Sequence, residues 1–409
     1  MRKLFLLFIA IILSFPLLAS HKVKPGIEVL RDQQFKLLEG KRVGLITNPT
    51  GVDRNLKSTI DILNEAPNVK LVALFGPEHG VRGDVYAGDK VDNAKDEKTG
   101  LPVYSLYGKT RKPTDEMLKG IDVLVYDIQD IGCRSFTYIS TLGLAMEAAA
   151  KNGIEVVVLD RPNPLGGKKV EGNLVEDGYT SFVSQFKIPY IYGLTCGELA
   201  KMLNEEGLIK GKCKLSVVPM KGWNRDMKYT ETGLQWIAAS PHIPHPHSSD
   251  FYPVSGILGE LGIVSIGVGY TLPFQLFATD SIPADKLADN LNALGLPGVH
   301  FRPIHLKPFY SVGQGKKYQG VQVHLTDYDK ASLSDIQFYV MQEMYKLNPN
   351  MKFFDLAAKG RNNMWDKVCG TNQIRLRLAK NYSVDDIKSY WHKDDDSFKK
   401  RSRKYWLYE

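Results

Sequence analysis

The 409-residue chain has little cysteine: four residues, Cys133, Cys196, Cys213 and Cys369. Four is far too few for a disulfide framework at this length. With no CxxC and no Cys/His pairing at metal-ligand spacing, it also argues against a structural zinc site. Two readings of the thiols stay open, a single Cys196–Cys213 bridge in an oxidising compartment or free buried cysteines. Phosphate-cradling glycine loops are missing as well. The loop after the first apolar run is "TNPTGVD", with neither GxGxxG nor GxxxxGK[ST], so no nucleotide cofactor is expected. There is no GxSxG elbow, which leaves a serine-hydrolase reading without its nucleophile signature. Low-complexity tracts, short-period repeats and any spanning apolar run beyond residue 20 are absent too.

What is present suits a packed globular protein, with 43% hydrophobic and 24% charged residues. The first twenty residues, "MRKLFLLFIAIILSFPLLAS", join a short basic stretch to an apolar run and a small-residue end. They read as a secretory signal, so the expected location is periplasmic or secreted; a retained anchor is the alternative. The formal net charge of +8 drops by two if Arg2 and Lys3 leave with such a leader. Its one dense basic run, "KKRSRK" at 399–404, reads as a solvated face, and no nucleic-acid partner is expected.

Apolar β-branched runs alternate with helical patterns in the first half. "KRVGLITN", "VKLVALFG", "DVLVYDIQD", "IEVVVLDRP" and "KLSVVPMKG" predict five buried strands; "LKSTIDILNEA", "TDEMLKG", "YISTLGLAMEAAAKNG" and "TCGELAKMLNEEG" predict helices. Thr195 with Glu198 makes a capping box, and Gly153 and Gly207 sit where a helix-ending glycine belongs. The repetition implies an α/β fold, with a Rossmann-like parallel sheet over residues 21–245. Near 240–255 the proline-dense "SPHIPHPHSSDFYPVSG" reads as a linker or a rigid site border. Beyond it, a helix at 282–293, strands at "HFRPIHL" and "GVQVHLTD" and a helix at 332–347 predict a smaller α/β domain over 246–409. A cleft between the domains is the expected ligand position.

Each predicted strand of the first domain runs into polar residues at its C-terminal end: Asn48/Thr50, Glu78/His79, Asp127/Gln129/Asp130, Asp160/Arg161/Asn163 and Trp223/Asn224/Arg225. In an open parallel sheet those ends share one edge, where ligands bind. Glu78, in "LFGPEHGVRG", follows Pro77 and lies between Gly76 and Gly80, so it can project into a cleft with little backbone freedom. Partial burial there would favour a protonated acid near neutral pH. The alternative is that Glu78 only bonds backbone donors of its loop, and His79 carries the same ambiguity. Asp130 is a candidate second carboxylate and Arg134 a candidate anion clamp, against the plainer reading of an internal ion pair. Asp160, Arg161, Asn163 and Glu171 surround Pro162 and Pro164, which stiffen either a turn or a site. His242, His245 and His247 match no usual zinc spacing and read as solvated loop histidines, so no metal is expected.

Several blocks in order are distinctive: "GLITNPTGVD", "LFGPEHGVRGDVYAGDKV", "TGLPVYSLYG", "DVLVYDIQDIGCRSFTYISTL", "LDRPNPLGG" with "VEGN", "YGLTCGELAKMLN", "KYQGVQVHLTD" and "FKKRSRKYWLYE". In this order they resemble the NamZ-type exo-β-N-acetylmuramidases, over nearly the whole chain past the leader. The resemblance implies a Rossmann-like domain, a smaller α/β domain, and a site between them that removes N-acetylmuramic acid from the non-reducing end of peptidoglycan-derived MurNAc–GlcNAc saccharides or muropeptides. It makes Glu78 the catalytic acid, with His79 beside it. Glycoside cleavage needs a second group or the substrate's own acetamido oxygen; Asp130, Asp127 and Asp160 compete for that role. The muramic carboxylate calls for a cation, for which Arg82, Arg134 and Arg161 are candidates, while Asn48, Asn163 and Glu171 are candidate substrate contacts and Tyr138 or Trp223 a candidate sugar platform. One segment departs from the pattern. Where many members carry "SEGRGT" before "PFE", this chain reads "SIGVGYTLPFQ", with Ile266, Val268 and Gln275 in place of charged residues, while Glu260 is kept. A noncatalytic glycan-binding protein is therefore the alternative function, and an esterase or deacetylase on the same glycan a third.

Overall fold

In the computed structural model the described residues are 23–83 and 94–409. The leader read over residues 1–20 lies outside them, as does the end of the "LFGPEHGVRGDVYAGDKV" block. The first domain runs α1 (Gly26–Asp32), β1 (Arg42–Thr47), α2 (Thr59–Glu65), β2 (Lys70–Gly76), β3 (Ala94–Lys95), β4 (Pro102–Ser105), β5 (Val123–Asp127), α3 (Tyr138–Asn152), β6 (Glu155–Leu159), α4 (Cys196–Glu205) and β7 (Lys214–Val218). All five strands expected from the apolar runs are there. They join β4 and the two-residue β3 in one seven-stranded sheet of order β3-β4-β2-β1-β5-β6-β7. Every pairing is parallel except β3 with β4.

The strands are apolar on both faces because both are covered. Val43, Leu45, Val123 and Val125 pack toward α1 and α2, whereas Ile46, Leu124, Tyr126 and Val156 pack toward α3 and α4. The chain enters at β1 in the middle of the sheet, builds outward through β2 and β4, then returns to add β5 on the other side. That reversal puts a topological switch between β1 and β5, where Thr47 pairs with Asp127.

Helix α4 starts where its capping box requires: Thr195 Oγ1 accepts from the Glu198 amide, and the Glu198 carboxylate accepts from the Thr195 amide. The expected helix at "TDEMLKG" does not form. Isolated turns close there instead, with Leu118 N donating to Thr114 O at 3.1 Å. The segment is bounded by Pro113 on one side and by Gly120, left-handed at φ 81°, on the other. All four cysteines are buried and free, so the Cys196–Cys213 bridge is not made.

The proline-dense stretch is not simply a linker. Its second half is helix α5 (Pro246–Gly259), with Pro246 in the first turn, where it has no intrahelical donor to lose. Then follow β8 (Leu276–Thr279), α6 (Ala284–Ala293), β9 (Val299–Leu306), β10 (Tyr318–Leu325), α7 (Ile336–Leu347) and five shorter helices: α8 (Phe353–Leu356), α9 (Arg361–Cys369), α10 (Gln373–Asn381), α11 (Asp385–Trp391) and α12 (Asp395–Ser402). The three strands form an antiparallel sheet of order β8-β10-β9.

One hydrophobic core runs from the α3 and α4 face of the large sheet into this second domain, through Val254, Leu258, Phe338, Trp365 and Trp391. The C-terminal residues return to the first domain. Tyr408 OH donates to Asp160 Oδ2 at 2.6 Å and accepts from Met220 N at 2.8 Å. Among the described residues, no helix is long and apolar enough to cross a membrane.

Candidate active site

A cleft of about 660 Å³ opens between the C-terminal side of β2 and β4, the β5–α3 loop, and the second domain. Glu78 and His79 line it. Its first wall is set by the turn after β2, where Gly80 N donates to Pro77 O at 3.0 Å and both His79 (φ 73°) and Gly80 (φ 73°) are left-handed. Two consecutive left-handed residues reverse the chain directly after Glu78, which leaves its carboxyl at the cleft surface. A side chain at His79 pays for that conformation in backbone strain. Phe274 (φ 67°) and Ser311 (φ 64°), also cleft-lining, share it, so three of the seven non-glycine positive-φ residues among the described residues lie in this one cleft. Strained positions of this kind cluster at ligand sites, which makes this cleft the candidate site.

Glu78 is held by two neighbours. Thr137, just before α3, donates from Oγ1 to Glu78 Oε2 at 3.1 Å. The Tyr107 hydroxyl also bonds Glu78, and burial together with that carboxylate raises the phenol well above its usual range, so it stays a donor. Facing them from the second domain are Glu260 and Arg361. Burial raises the Glu260 carboxyl above its ordinary range, with Arg361 opposing. Tyr252 OH lies 3.1 Å from Ser135 Oγ. The wall opposite carries Ile266, Val268 and Phe274, so the apolar substitutions of "SIGVGYTLPFQ" face the cleft.

His242 also lines the cleft, which corrects its reading as a solvated loop residue: it is half-buried and hydrogen-bonds Tyr310. Burial and the nearby His79 hold its ring below the ordinary value, hence neutral at pH 7. Just before the cleft-lining Ser311 come two exposed aromatics, Phe309 (58% exposed) and the His242-bonded Tyr310 (44%), with Tyr270 packed 5.8 Å from Phe309.

The other sequence candidates lie elsewhere. Asp127 is fully buried and clamped by Arg161, whose Nη2 donates to it at 2.9 Å and to Val52 O at 2.8 Å, while Thr59 Oγ1 donates to the same carboxylate. Asp160, also fully buried, accepts from Thr195 Oγ1, Gly197 N and Tyr408 OH. Asp130 accepts from Gly132 N and from Tyr192 OH. Burial pushes both Asp130 and Asp160 up to about 6. Asn48 and Asn163 close side-chain turns, accepting from Thr50 N and Leu165 N at 3.0 Å each. None of these residues lines the cleft.

Arg134 is not at a surface that an anion can reach. It is fully buried, and its guanidinium donates to Ser184 Oγ and to the carbonyls of Asn173, Ile188 and Val368, so it ties the two domains together. Glu171 likewise receives Leu333 N, Ser334 N and Ser334 Oγ. Arg82 pairs with Asp96 at 2.9 Å. Tyr138 is buried, its hydroxyl on Ala239 O, and Trp223 packs edge-on against Tyr408. Neither is a platform in this cleft. Sequence reasoning passed over Tyr107, Thr137, Tyr252 and Arg361. Thr137 carried a signal, since it occupies the loop after a predicted strand, but Arg361 carried none, because only tertiary packing brings α9 to Glu78's cleft.

A doubly wound parallel sheet joined to a smaller antiparallel domain, with a carboxylate-bearing cleft between them, defines a two-domain α/β protein with an interdomain site. Comparison with known proteins makes this particular. Residues 43–247 match the N-terminal domain model of exo-beta-N-acetylmuramidase NamZ, and residues 251–408 match its C-terminal domain model. The chain belongs to the NamZ family. It is 46% identical over 387 residues to the peptidoglycan beta-N-acetylmuramidase NamZ of Bacillus subtilis (strain 168), covering 95% of this chain and 92% of that protein. Crystal structures of two DUF1343 family proteins from Bacteroides fragilis NCTC 9343 are similar. One is 68% identical with a TM-score of 0.92 and the other 29% identical with 0.75, each covering 95% of this chain and 99% of its own.

Proposed function

We propose that this protein is an exo-β-N-acetylmuramidase that releases N-acetylmuramic acid from the non-reducing end of peptidoglycan fragments. The observation that carries the reading is the placement of Glu78, the acid of the "GPEHG" block, in the interdomain cleft with Thr137 and Tyr107 on its carboxyl. Support also comes from the Bacillus subtilis relative, which is named as a peptidoglycan beta-N-acetylmuramidase.

In this mechanism Glu78 protonates the departing glycosidic oxygen as the sugar gains oxocarbenium character. The second role falls to Glu260, the other acidic residue lining the cleft among the described residues, or to the substrate's acetamido oxygen. Arg361 supplies the cation for the muramic carboxylate. Tyr310, bonded to His242 of the cleft, and Phe309 beside it offer faces on which the leaving sugar packs. The basic-apolar leader exports the chain to the periplasm or beyond, where the substrate lies.

The test is incubation of the protein with a MurNAc–GlcNAc disaccharide and a chromogenic muramide. Free N-acetylmuramic acid is expected from wild type and not from Glu78→Gln. Tight binding without release would instead favour a glycan-binding protein, to which the apolar Ile266 and Val268 wall points. Loss of acetate or lactate in place of sugar would indicate an esterase or deacetylase.

A further inference from the structure

A second cavity of about 610 Å³ lies apart from Glu78's cleft and shares no lining residue with it. Its walls come from both domains: the loop after β6, the segment after β7, the loop after β10, and α12. Lysines dominate it. Lys330 is neutralised by Asp327 at 2.7 Å, and Lys168 pairs with Asp226. Three others, Lys169, Lys228 and Lys399, make no ion pair with any carboxylate among the described residues. Lys169 Nζ spends its donors on two backbone carbonyls, Ala331 O at 2.7 Å and Asp329 O at 3.2 Å. Lys228 lies over the Tyr328 ring, and Lys169 is 4.8 Å from the centroid of that ring. Tyr328 is itself fixed by donating to Leu165 O at 2.9 Å.

Of the carboxylates near this trio, Asp329 lines the cavity and attracts both Lys169 and Lys228, while two others are engaged elsewhere. Glu171 is held by Ser334 and the Leu333 amide, and Asp250 is turned toward His247 at 3.5 Å. His392, which lines the same cavity, is committed to Asp335 and Asp395 at 2.8 and 2.7 Å. Burial lowers the affinity of Lys169 and Lys228 for their protons. Glu171 and Asp329 oppose this at Lys169, and Asp250 and Asp329 oppose it at Lys228; the fields of Lys399 on Lys169 and of Lys169 on Lys228 are smaller and add to the effect of burial. The lining holds six Lys/Arg (Lys168, Lys169, Arg225, Lys228, Lys330, Lys399) against four Asp/Glu (Glu171, Asp226, Asp329, Asp395), and such an excess of partly desolvated cations around a space large enough for a small organic molecule favours an anionic occupant.

We propose that this second cavity binds a ligand carrying two or more anionic groups, held between Lys169, Lys228 and Lys399. The shared chemistry is multiple anionic oxygens, from phosphate or from carboxylate. Inorganic pyrophosphate and citrate are the two probes, titrated calorimetrically into the full chain at fixed ionic strength, with sodium chloride as the control.

Wild type is expected to bind at least one probe, one to one, with Kd below about 100 μM. Tighter pyrophosphate assigns a phosphate ligand; tighter citrate assigns a carboxylate ligand. A Lys169→Met/Lys228→Met double variant is expected to bind at least tenfold more weakly, while Glu78→Gln binds as wild type does. If the double variant does not fold, Lys399→Ala carries the test, with an expected weakening of several-fold. Absence of binding by both probes up to about 1 mM, or unchanged binding by the folded lysine variants, overturns the proposal.

Discussion

The ends of β1, β5 and β6 carry the same kinds of side chain as the end of β2, on the same edge of the same sheet, yet they do different work. At β5 and β6 the acids are met by the protein itself: Asp127 by Arg161 and Thr59, Asp160 by Thr195, Gly197 and Tyr408. At β2 the acid faces outward into about 660 Å³ of open cleft, and the groups that hold it, Thr137 and Tyr107, line that cleft as well. A polar strand end marks a site only where the fold leaves it facing solvent. Where a second layer of chain closes over it, the same residues become a buried network that fixes loops.

The sharpest test of this division is Glu78→Gln, expected to lower kcat/KM on a chromogenic muramide by about 10²–10⁴-fold with little change in thermal stability. An equal loss from substitutions at the β5 or β6 ends, with stability intact, would erase the distinction. Next in size, Asp127→Ala leaves the Arg161 guanidinium buried without its partner. Urea unfolding should show a loss of about 3–5 kcal/mol, while the folded fraction keeps its activity. Tyr408→Phe removes one donor to Asp160 and the acceptor of Met220 N, for about 1–3 kcal/mol on the same measurement.

The smallest effect is a slope. Asp130 titrates from 3.8 in the unfolded chain to about 6 in the folded one, because burial penalises its charge. The folded state therefore holds the extra proton between those values, and this group's contribution weakens stability as pH rises from about 4 through 6, by at most about 1.4 kcal/mol per pH unit. Asp130→Asn should flatten that part of the stability–pH curve. An unchanged slope over that window in the variant would mean that the fold does not hold the Asp130 carboxyl protonated.

The fold was legible where the physics is local and repetitive. Val and Leu runs such as "DVLVYD" can only be strands buried on both faces, and the Thr195/Glu198 pair marks a helix start that hydrogen bonding then uses. Strand β4 escaped because Pro102 opens it and only four residues pair. Helix α5 escaped because its prolines read as punctuation, although one of them sits in the first turn. For the site, the stiff turn at a strand end made Glu78 and His79 candidates with a plain loop-bonding role as the alternative, and the structure puts both in the cleft, whereas Arg134 looked as good a cation as any. Only the structure shows it spent on carbonyls of Asn173, Ile188 and Val368.

By itself, then, the sequence determined the parallel sheet, the order of its strands along the chain, and the stiff "GPEHG" turn at the end of β2. Each follows from short-range patterning of apolar residues, prolines and glycines. Tertiary structure alone decided which polar strand ends are covered, that α9 brings Arg361 opposite Glu78, and that Lys169, Lys228 and Lys399 meet across a second cavity. Those outcomes depend on burial and on partners from distant parts of the chain, which no local pattern of residues encodes.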